Sequence, residues 1–569
     1  MKNPIQFTPI SPKALELAAK HNGNPEAILE IFQEWQSDHG HLDPDAIRDI
    51  ARALHIPAEK AHGLATFYTM VKTESQPANT LRICDGPACW LKGAREMLEK
   101  GNLDVDWHLE RTSCLGLCDR APAAWQNGTH AGPLNLGNLL ALPSPHPDYR
   151  IPRNGELRVM LSHIEDIDPW SLDSALESGE YLALESALTP NGAHPPITPE
   201  EIIEEVKKAG MRGRGGAGFP VGVKWGFVAQ EVRTPKYIVC NADESEPLVF
   251  KDRVLMETKP HQILEGMALA AYAVGATEGF IYIRGEYEMQ AKLLEHAIHQ
   301  AEERHYLGAN ILGTNFSFNV HVHRGAGAYI CGEETALLES LEGRRGEPRI
   351  RPPYPTESGY HGLPTIVNNV ETFASVPHIV LNGADWYTRL SSSTTEGTKL
   401  FCLTGHINNP GVFEAPYGLT LRQLINQFGG GMRPDSKFHL ALCGGAAGNI
   451  IPESLLDVPL DYESGKKGVS LGAGAFLICD QTVSSIALLR ELMWFFEHES
   501  CGKCTPCRIG TRQTRLLLDR MLAGDRHPDD IDQLRALGEL MGNSSFCGLG
   551  ISTWLPISSA LEHFEDEFK

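Results

Sequence analysis

Hydrophobic positions along the chain change their period several times, and each change marks a different kind of element. Over residues 1–75 apolar side chains recur at helical spacing in "ALELAAKHN", "PEAILEIFQEWQSDHG" and "DAIRDIARALHI", with Asp and Pro near the starts, predicting a helical lead-in. From "TLRICDGPACWLKGAREMLEK" the pattern becomes strand, cysteine-bearing loop and helix. "RTSCLGLCDRAPAAW" adds a second such loop beside short strands, predicting a small α/β unit over 76–135. Residues 136–155, rich in Pro, Gly and Asn, read as a linker. Over 156–395, helices ("PEEIIEEVKKAG", "PHQILEGMALAAYAVG", "YEMQAKLLEHAIHQAEER") alternate with short apolar strands ("KYIVCNA", "GFIYIRG", "FSFNVHVH"), as in an α/β layer fold. Residues 396–480 predict a small sheet-plus-helix unit, and 481–569 read as helical throughout. The expected fold class is therefore α/β and multidomain.

Charge and cysteine content narrow the function. Lys plus Arg number 50 against 72 Asp plus Glu, a net charge of −22, which disfavours nucleic acid and anionic bilayers as partners. The first residues lack an apolar signal core, and the most apolar window, "GMALAAYAVGATEGFIYI", breaks at Gly275 and Glu278, so it predicts a helix followed by a strand rather than a span. Thirteen cysteines without a secretion signal favour metal or redox ligation in a reducing, cytoplasmic compartment over a disulfide framework.

Eight of those cysteines form two sets. Cys501, Cys504 and Cys507 are spaced C-x2-C-x2-C, which lets one loop reach three corners of a cubane, and Cys547 is the other cysteine of the helical tail. This spacing points to a 4Fe-4S cluster, with zinc as the competitor, although structural zinc sites usually pair C-x2-C knuckles. Gly502 and a helix beginning near Arg508 would offer backbone N–H groups to cluster sulfur. Near the front, Cys84 and Cys89 (C-x4-C) and Cys114 and Cys118 (C-x3-C) sit on two loops, a set that suits a 2Fe-2S rhomb, with zinc or disulfides as alternatives. Cys240, Cys331, Cys402, Cys443 and Cys479 stand in apolar surroundings and read as core.

A third constellation lies in "GMRGRGGAGFPVGVKW". Gly213, Gly215 and Gly218 match G-x-G-x-x-G, but the match follows a helix rather than a strand, so it fails the dinucleotide-fold context. Gly213, Gly215, Gly216 and Gly218 still permit close backbone approach, and Arg212, Arg214 and Lys224 add positive charge, which suits a phosphate-bearing cofactor; the bland alternative is a flexible surface loop. "YIVCNADESEP" ends a strand with Asn241, Asp243, Glu244 and Glu246, groups able to hold ribose hydroxyls or a flavin ring. Tyr329, Gly332, Glu333 and Glu334 lie in "GAGAYICGEETALLESLEG", and Val367, Asn368, Asn369 and Thr372 in "PTIVNNVETFASVP". Both stretches are also explicable as helix starts.

Taken in order, these stretches make the chain from about 180 onward resemble the NADH-binding flavoprotein subunit of respiratory complex I and its relatives, through "RGRGGAGFPVGVKW", "NADESEP", "GAGAYICGEETALL", "IVNNVETF" and "ESCGKCTPCRIG". The first 130 or so residues resemble the thioredoxin-like 2Fe-2S subunit of the same enzymes, through "ATFYTM", "CDGPACW" and "CLGLCDRAP". The resemblance implies a thioredoxin-like 2Fe-2S domain, an FMN and NADH domain, a small β-grasp-like domain and a helical bundle with the 4Fe-4S cluster. It assigns FMN to Gly213, Arg214, Gly215, Gly216, Asn241, Asp243, Gly332, Glu333, Asn368, Asn369 and Thr372, and Glu244 and Val367 join them as further cofactor-binding candidates. It assigns NADH to Phe219, Lys224, Phe227, Glu246, Tyr329 and Glu334. Tyr354 and Val221 depart from the family's usual Phe and Thr. FMN would be the reactive group, with no side-chain acid or base required. A fused front domain keeping all four cysteines is most similar to the diaphorase flavoprotein subunit of cytoplasmic NAD-reducing nickel-iron hydrogenases, implying a small iron-sulfur diaphorase subunit and nickel-iron subunits as partners. Formate dehydrogenase or complex I membership, and an electron-transfer adaptor with an inactive nucleotide site, are the alternatives.

Overall fold

The computed structural model describes residues 9–140, 149–190 and 195–569. The predicted linker at 136–155 therefore falls partly, at 141–148, outside the described residues. Four helices, Pro12–Lys20, Ile28–His39, Pro44–Ala53 and Ala58–Ala65, form the lead-in. Asp43 sets the start of the third by accepting from the Ala46 N–H at 2.7 Å. The segment after the fourth lies against the larger unit: the Thr69 and Met70 N–H groups donate to the Gly327 and Ala326 carbonyls at 3.1 and 2.9 Å.

The front sheet holds β1 (Asn79–Cys84), β2 (Trp107–Thr112), β3 (Ala124–Gln126) and β4 (Thr129–Ala131) in the order β2-β1-β3-β4. β1 runs parallel to β2 and antiparallel to β3. Cys84 closes β1 and Cys89 lies in the helical turn Pro87–Trp90, while Cys114 and Cys118 follow β2.

The central sheet is parallel throughout. β5 (Tyr237–Ala242), β6 (Glu278–Ile283), β7 (Asn319–Arg324) and β8 (Thr365–Asn369) lie in the order β7-β6-β5-β8. Crossover helices such as Pro260–Val274 and Glu288–Glu303 are needed to return the chain to the same edge, so the carboxyl ends of all four strands open on one side. The apolar window divides as expected: its helix stops at Gly275, whose φ of +74° an L side chain would resist, and β6 follows. Among the described residues no helix is long and apolar enough to cross a membrane.

A second sheet, β9 (Thr398–Gly405), β10 (Gly411–Pro416), β11 (Phe438–Cys443), β12 (Asn449–Ile451) and β13 (Ala475–Asp480), has the order β10-β9-β13-β11-β12 and carries its own apolar cluster around Phe401, Phe413 and Phe476. Helices Ser485–Glu499, Thr505–Leu522, Asp530–Ser544, Gly548–Ser552 and Trp554–His563 complete the chain.

The two sheets are joined by buried charge. Glu371, fully buried, accepts from Lys399 Nζ at 3.0 Å and from the Leu400 N–H at 2.9 Å, and pairs with Lys251 Nζ at 2.9 Å. Burial opposes ionisation, but the two lysines win and hold its carboxyl down at about 2. Glu371→Ala leaves buried Lys399 without its carboxylate, while Lys251 keeps Asp252 at 2.7 Å, and breaking such a set from one side costs about 3–5 kcal/mol. The urea midpoint of the variant should fall accordingly, read by intrinsic fluorescence; a midpoint equal to wild type contradicts the role.

Candidate functional site

The cleft forms where the carboxyl ends of β5 and β8 meet two glycine-bearing loops. The loop at 209–220 runs from the helix Pro199–Lys208 to the helix Val221–Gln230. The Arg214 N–H donates to Thr372 Oγ1 at 2.9 Å, and Tyr462 Oη donates to the Gly213 carbonyl at 2.6 Å. A Cβ on Gly215 would stand 3.3 Å from Asn369 Cβ, so this loop lies directly on the start of the helix Val370–Asn382. Gly216 has φ +118° and Gly218 φ +65°, and a Cβ on Gly218 would lie 2.4 Å from the Tyr462 ring.

Opposite the loop, Asn241 Nδ2 donates to the Gly332 carbonyl at 2.9 Å, and a Cβ on Gly332 would meet Asp243 Oδ2 at 3.3 Å. Asp243 Oδ2 and Asn368 Oδ1 are buried without a hydrogen-bond partner. Burial raises the Asp243 carboxyl well above the usual range. Two unpaired buried acceptors beside bare glycine backbone are what a cradle shows when its bonds go to a ligand. Glu333 caps the helix Glu334–Leu341 through the Thr335 and Ala336 N–H groups at 3.1 and 3.0 Å, and Asn369 caps the helix after β8 through the Glu371 N–H at 3.1 Å. The helix-start role and the cleft position coexist in both.

Toward the mouth, Lys224 Nζ donates to the Val367 carbonyl at 2.7 Å and to Glu334 Oε2 at 3.1 Å. That ammonium, with Arg351, outweighs burial and keeps the Glu334 carboxyl below its ordinary value. Phe219 and Phe227 are 49% and 51% exposed, and Tyr354 is 52% exposed, leaving ring faces free for stacking. Glu246 accepts from Tyr329 Oη at 2.5 Å and from the Ala447 N–H at 3.2 Å, and burial pushes its carboxyl up to about 7.

Two side chains turn away from the cleft. The Arg214 guanidinium is fully buried between Tyr417 and Tyr387, donating to both hydroxyls, so its charge is directed away from the cleft. The Glu244 carboxylate caps the helix Lys251–Thr258, accepting from the Asp252 and Arg253 N–H groups at 2.7 and 2.9 Å.

The tail cysteines Cys501, Cys504, Cys507 and Cys547 line one small pocket with Ile330, Pro348, Phe546 and Leu549. The helix that follows starts at Thr505, not near Arg508, so Cys504 is its cap and Cys507 lies in its first turn. Gly502 N–H is taken by Ser500 Oγ at 3.3 Å; the amides that reach sulfur are those of Lys503, on Cys501, and of Leu549 and Gly550, on Cys547. Burial pushes the Cys507 thiol up to about 12 and that of Cys547 to about 11, so ionised sulfur here calls for metal charge.

Cys84, Cys89, Cys114 and Cys118 are all buried in the front unit. Cys114 Sγ lies 3.8 Å from Cys118 Sγ, and the neighbouring Cys114 and Cys89 thiols, with burial, raise the Cys84 thiol well above its ordinary value. The Gly86 and Gly116 N–H groups point at Cys84 and Cys114 sulfur at 3.4 and 3.3 Å. Among the described residues no group of three or more Cys, His, Asp or Glu side chains makes a site for a single metal ion. The other five cysteines are buried in the core.

Three contributions were invisible in the sequence reading. Glu499 Oε2 accepts from the Tyr329 N–H at 2.9 Å, tying the cleft to the loop of Cys501. Gly445 and Ala447 reach Glu246 from the second sheet; the paired glycines of "CGGAAGN" are the signal that could have disclosed them. Arg253, Arg284 and Tyr287 fasten the front unit to the cleft.

Fold and site together define an iron-sulfur flavoprotein. Residues 206–378 match the Nuo51 FMN-binding domain, 487–569 the NADH-ubiquinone oxidoreductase-F iron-sulfur binding region, 14–142 the thioredoxin-like 2Fe-2S ferredoxin family, and 400–448 the SLBB domain. An NADH-quinone oxidoreductase subunit of Rhizobium meliloti (strain 1021) is 46% identical over 411 residues, 72% of this chain and 96% of its own. The NADP-reducing hydrogenase subunit HndC of Solidesulfovibrio fructosivorans is 43% identical over 73% of this chain and 83% of its own. A solved chain of NAD+-reducing NiFe-hydrogenase in the air-oxidized state superposes with a TM-score of 0.81 at 31% identity, covering 96% of this chain and 93% of that one. The chain belongs to the family of NADH-binding, FMN-containing flavoprotein subunits of NADH-quinone oxidoreductases, with a thioredoxin-like 2Fe-2S domain and a 4Fe-4S region in the same polypeptide.

Proposed function

We propose that this chain is the diaphorase subunit of a cytoplasmic NAD-reducing hydrogenase, exchanging electrons with a small iron-sulfur subunit and nickel-iron subunits. The supporting observation is coverage: the hydrogenase chain spans 96% of this one and 93% of itself, whereas the quinone oxidoreductase relative fills 96% of itself but 72% of this chain. Higher identity to the quinone oxidoreductase relative favours complex I membership as the second reading.

The unpaired Asp243 and Asn368 oxygens, with Asn241, Asn369, Thr372, Gly332 and the backbone of Gly213 to Gly216, would hold FMN. Val367 and Glu333 border it, and Glu244 supports the wall from behind. Phe219, Phe227, Lys224, Glu246, Tyr329 and Glu334 would receive the nucleotide. FMN when bound supplies hydride exchange with NAD(H) and single-electron exchange with clusters. The chain's own groups orient and insulate: the exposed rings stack, Glu246 accepts ribose hydroxyls, and Lys224 fixes Glu334. Cys501, Cys504, Cys507 and Cys547 would hold the 4Fe-4S cluster beside the cleft, and Cys84, Cys89, Cys114 and Cys118 the 2Fe-2S cluster.

Purified from its native source as a complex, the enzyme should reduce NAD+ with hydrogen as donor. Formate-driven reduction without a hydrogen-driven rate moves the assignment to a formate dehydrogenase, and quinone reduction by a membrane-bound complex moves it to complex I. Clusters without flavin bleaching by NADH would favour the adaptor.

Glu246→Gln should leave flavin content unchanged and weaken NADH binding. Losing a charge-assisted hydrogen bond costs ~1.5–3 kcal/mol, about ten- to a hundredfold in dissociation constant. Because the hydroxyls donate to the ionised carboxyl, wild-type affinity should fall as pH drops through about 7, and Glu246→Gln should lose that slope. Equal affinities by titration of flavin absorbance contradict the assignment.

A further inference from the structure

Two buried cations, Arg253 and Arg284, join the front unit to the flavin unit, and Arg284 is the one that also reaches the cleft backbone. Arg284, 2% exposed, follows β6. Its guanidinium donates to the Glu244 carbonyl at 2.6 Å, next to Asp243 of the cleft, and to the Cys114 carbonyl at 2.5 Å, in the loop that bears two of the four front cysteines. It also pairs with Glu286 at 3.0 Å and lies 5.1 Å from the centre of the Tyr287 ring. Tyr287 Oη donates to Glu244 Oε2 at 3.1 Å and occupies the space that a Cβ on Gly116 would need, 1.9 Å away. Gly116 in turn donates to Cys114 sulfur and accepts from Arg253 Nε at 3.0 Å. The loop is thus seated on the flavin unit without space for a side chain.

We infer that Arg284 is a positioning residue that joins the cleft backbone to the front cluster loop and, through its charge, sets the reduction potential of the cluster held there. This deepens the proposal that Cys84, Cys89, Cys114 and Cys118 bind a 2Fe-2S cluster, and rests on it. Reduction adds one negative charge to a cluster, and a buried cation bonded to the backbone of a ligand stabilises that charge across a poorly screened interior. The neighbouring Arg253 contributes less, being paired with both Asp119 and Glu257 at 2.8 and 3.2 Å. Arg284 has Glu286 as its direct carboxylate partner, held ionised below its ordinary value by the arginine against the effect of burial. The charge seen by the cluster is therefore the difference between two opposed groups. Removing either one alone should move the potential in opposite senses.

The test is an EPR-monitored redox titration of the 2Fe-2S signal in the full-length chain for wild type, Arg284→Gln, Arg284→Lys and Glu286→Gln. At a fixed poise, Arg284→Gln should lower the reduced-to-oxidised ratio about tenfold, which for one electron is about 59 mV. Glu286→Gln should raise the ratio, and Arg284→Lys should stay near wild type. Flavin content and the 4Fe-4S signal should be unaltered. A purely structural role would shift both neutral variants the same way, and that result, or no shift in either, overturns the inference. Should Arg284→Gln not fold, the sign of the Glu286→Gln shift decides. A wild-type chain lacking a 2Fe-2S signal overturns the cluster assignment itself, whereas a signal present throughout with an unmoved midpoint overturns the role of Arg284 alone.

Discussion

Cys504→Ala is expected to abolish partner-linked turnover while leaving the flavin reducible by NADH. The substitution removes one of four thiols around the tail pocket; Cys504 stands at the start of the helix Thr505–Leu522 without a side-chain cap bond, so the helix itself should persist. The cleft does not depend on Cys504: its walls come from the ends of β5 and β8, the loop at 209–220 and the second sheet. Losing the outer partners that orient metal ligands already costs about 10- to 100-fold, so losing a ligand should cost more than that in electron delivery to the partner. The measurements are iron content, the 4Fe-4S EPR signal, flavin bleaching by NADH, and turnover with partner and with ferricyanide. Full partner-linked turnover with the cluster gone would show that electrons leave by another route. Loss of NADH bleaching would show that the tail and the cleft form one cooperative unit.

The tail cysteine triad stood out in the sequence because its spacing is local. Ligands that must surround one cluster from a single loop have fixed spacings, and Cys501, Cys504 and Cys507 carry that constraint within seven residues. The parallel sheet was legible for a similar reason, as short apolar strands alternating with helices. Side-chain direction was not. Arg214 sits in a glycine loop beside Arg212 and reads as a phosphate ligand, yet its guanidinium lies fully buried between Tyr387 and Tyr417, residues 173 and 203 positions away. Nothing in a local pattern shows that a charge is better satisfied by distant hydroxyls than by solvent or ligand. Glu244 is the same case: in "NADESEP" it resembles its neighbours, but the helix it caps starts at Lys251 and draws its carboxylate away. Arg284, Glu286 and Tyr287 carry no motif at all. Their effect on the front loop appears only once a chain segment far earlier in sequence is seated on them.

Gly216→Val should yield a protein with both clusters and flavin bound about ten- to a hundredfold more weakly. Gly216 holds φ +118°, a conformation that L side chains rarely adopt and that a β-branched residue tolerates least. The loop has no slack to absorb the change. Arg214 is pinned to Thr372 Oγ1, Gly213 to Tyr462 Oη, and Gly215 rests on Asn369, while the Cβ added at 216 would already touch Ala473 N at 3.6 Å before the two methyls are placed. Residues forced into such backbone conformations cost about 1–3 kcal/mol, and if that strain is relieved by moving the loop out of the cleft, FMN affinity falls about ten- to a hundredfold. Flavin released by acid and measured by fluorescence should fall accordingly, and ferricyanide reduction by NADH should fall with it. Iron content should match wild type, since the cysteines belong to other loops. A stoichiometric flavin content in Gly216→Val would show that the glycine loop is only a connector, and the cofactor would then have to be held by the ends of β5 and β8 alone.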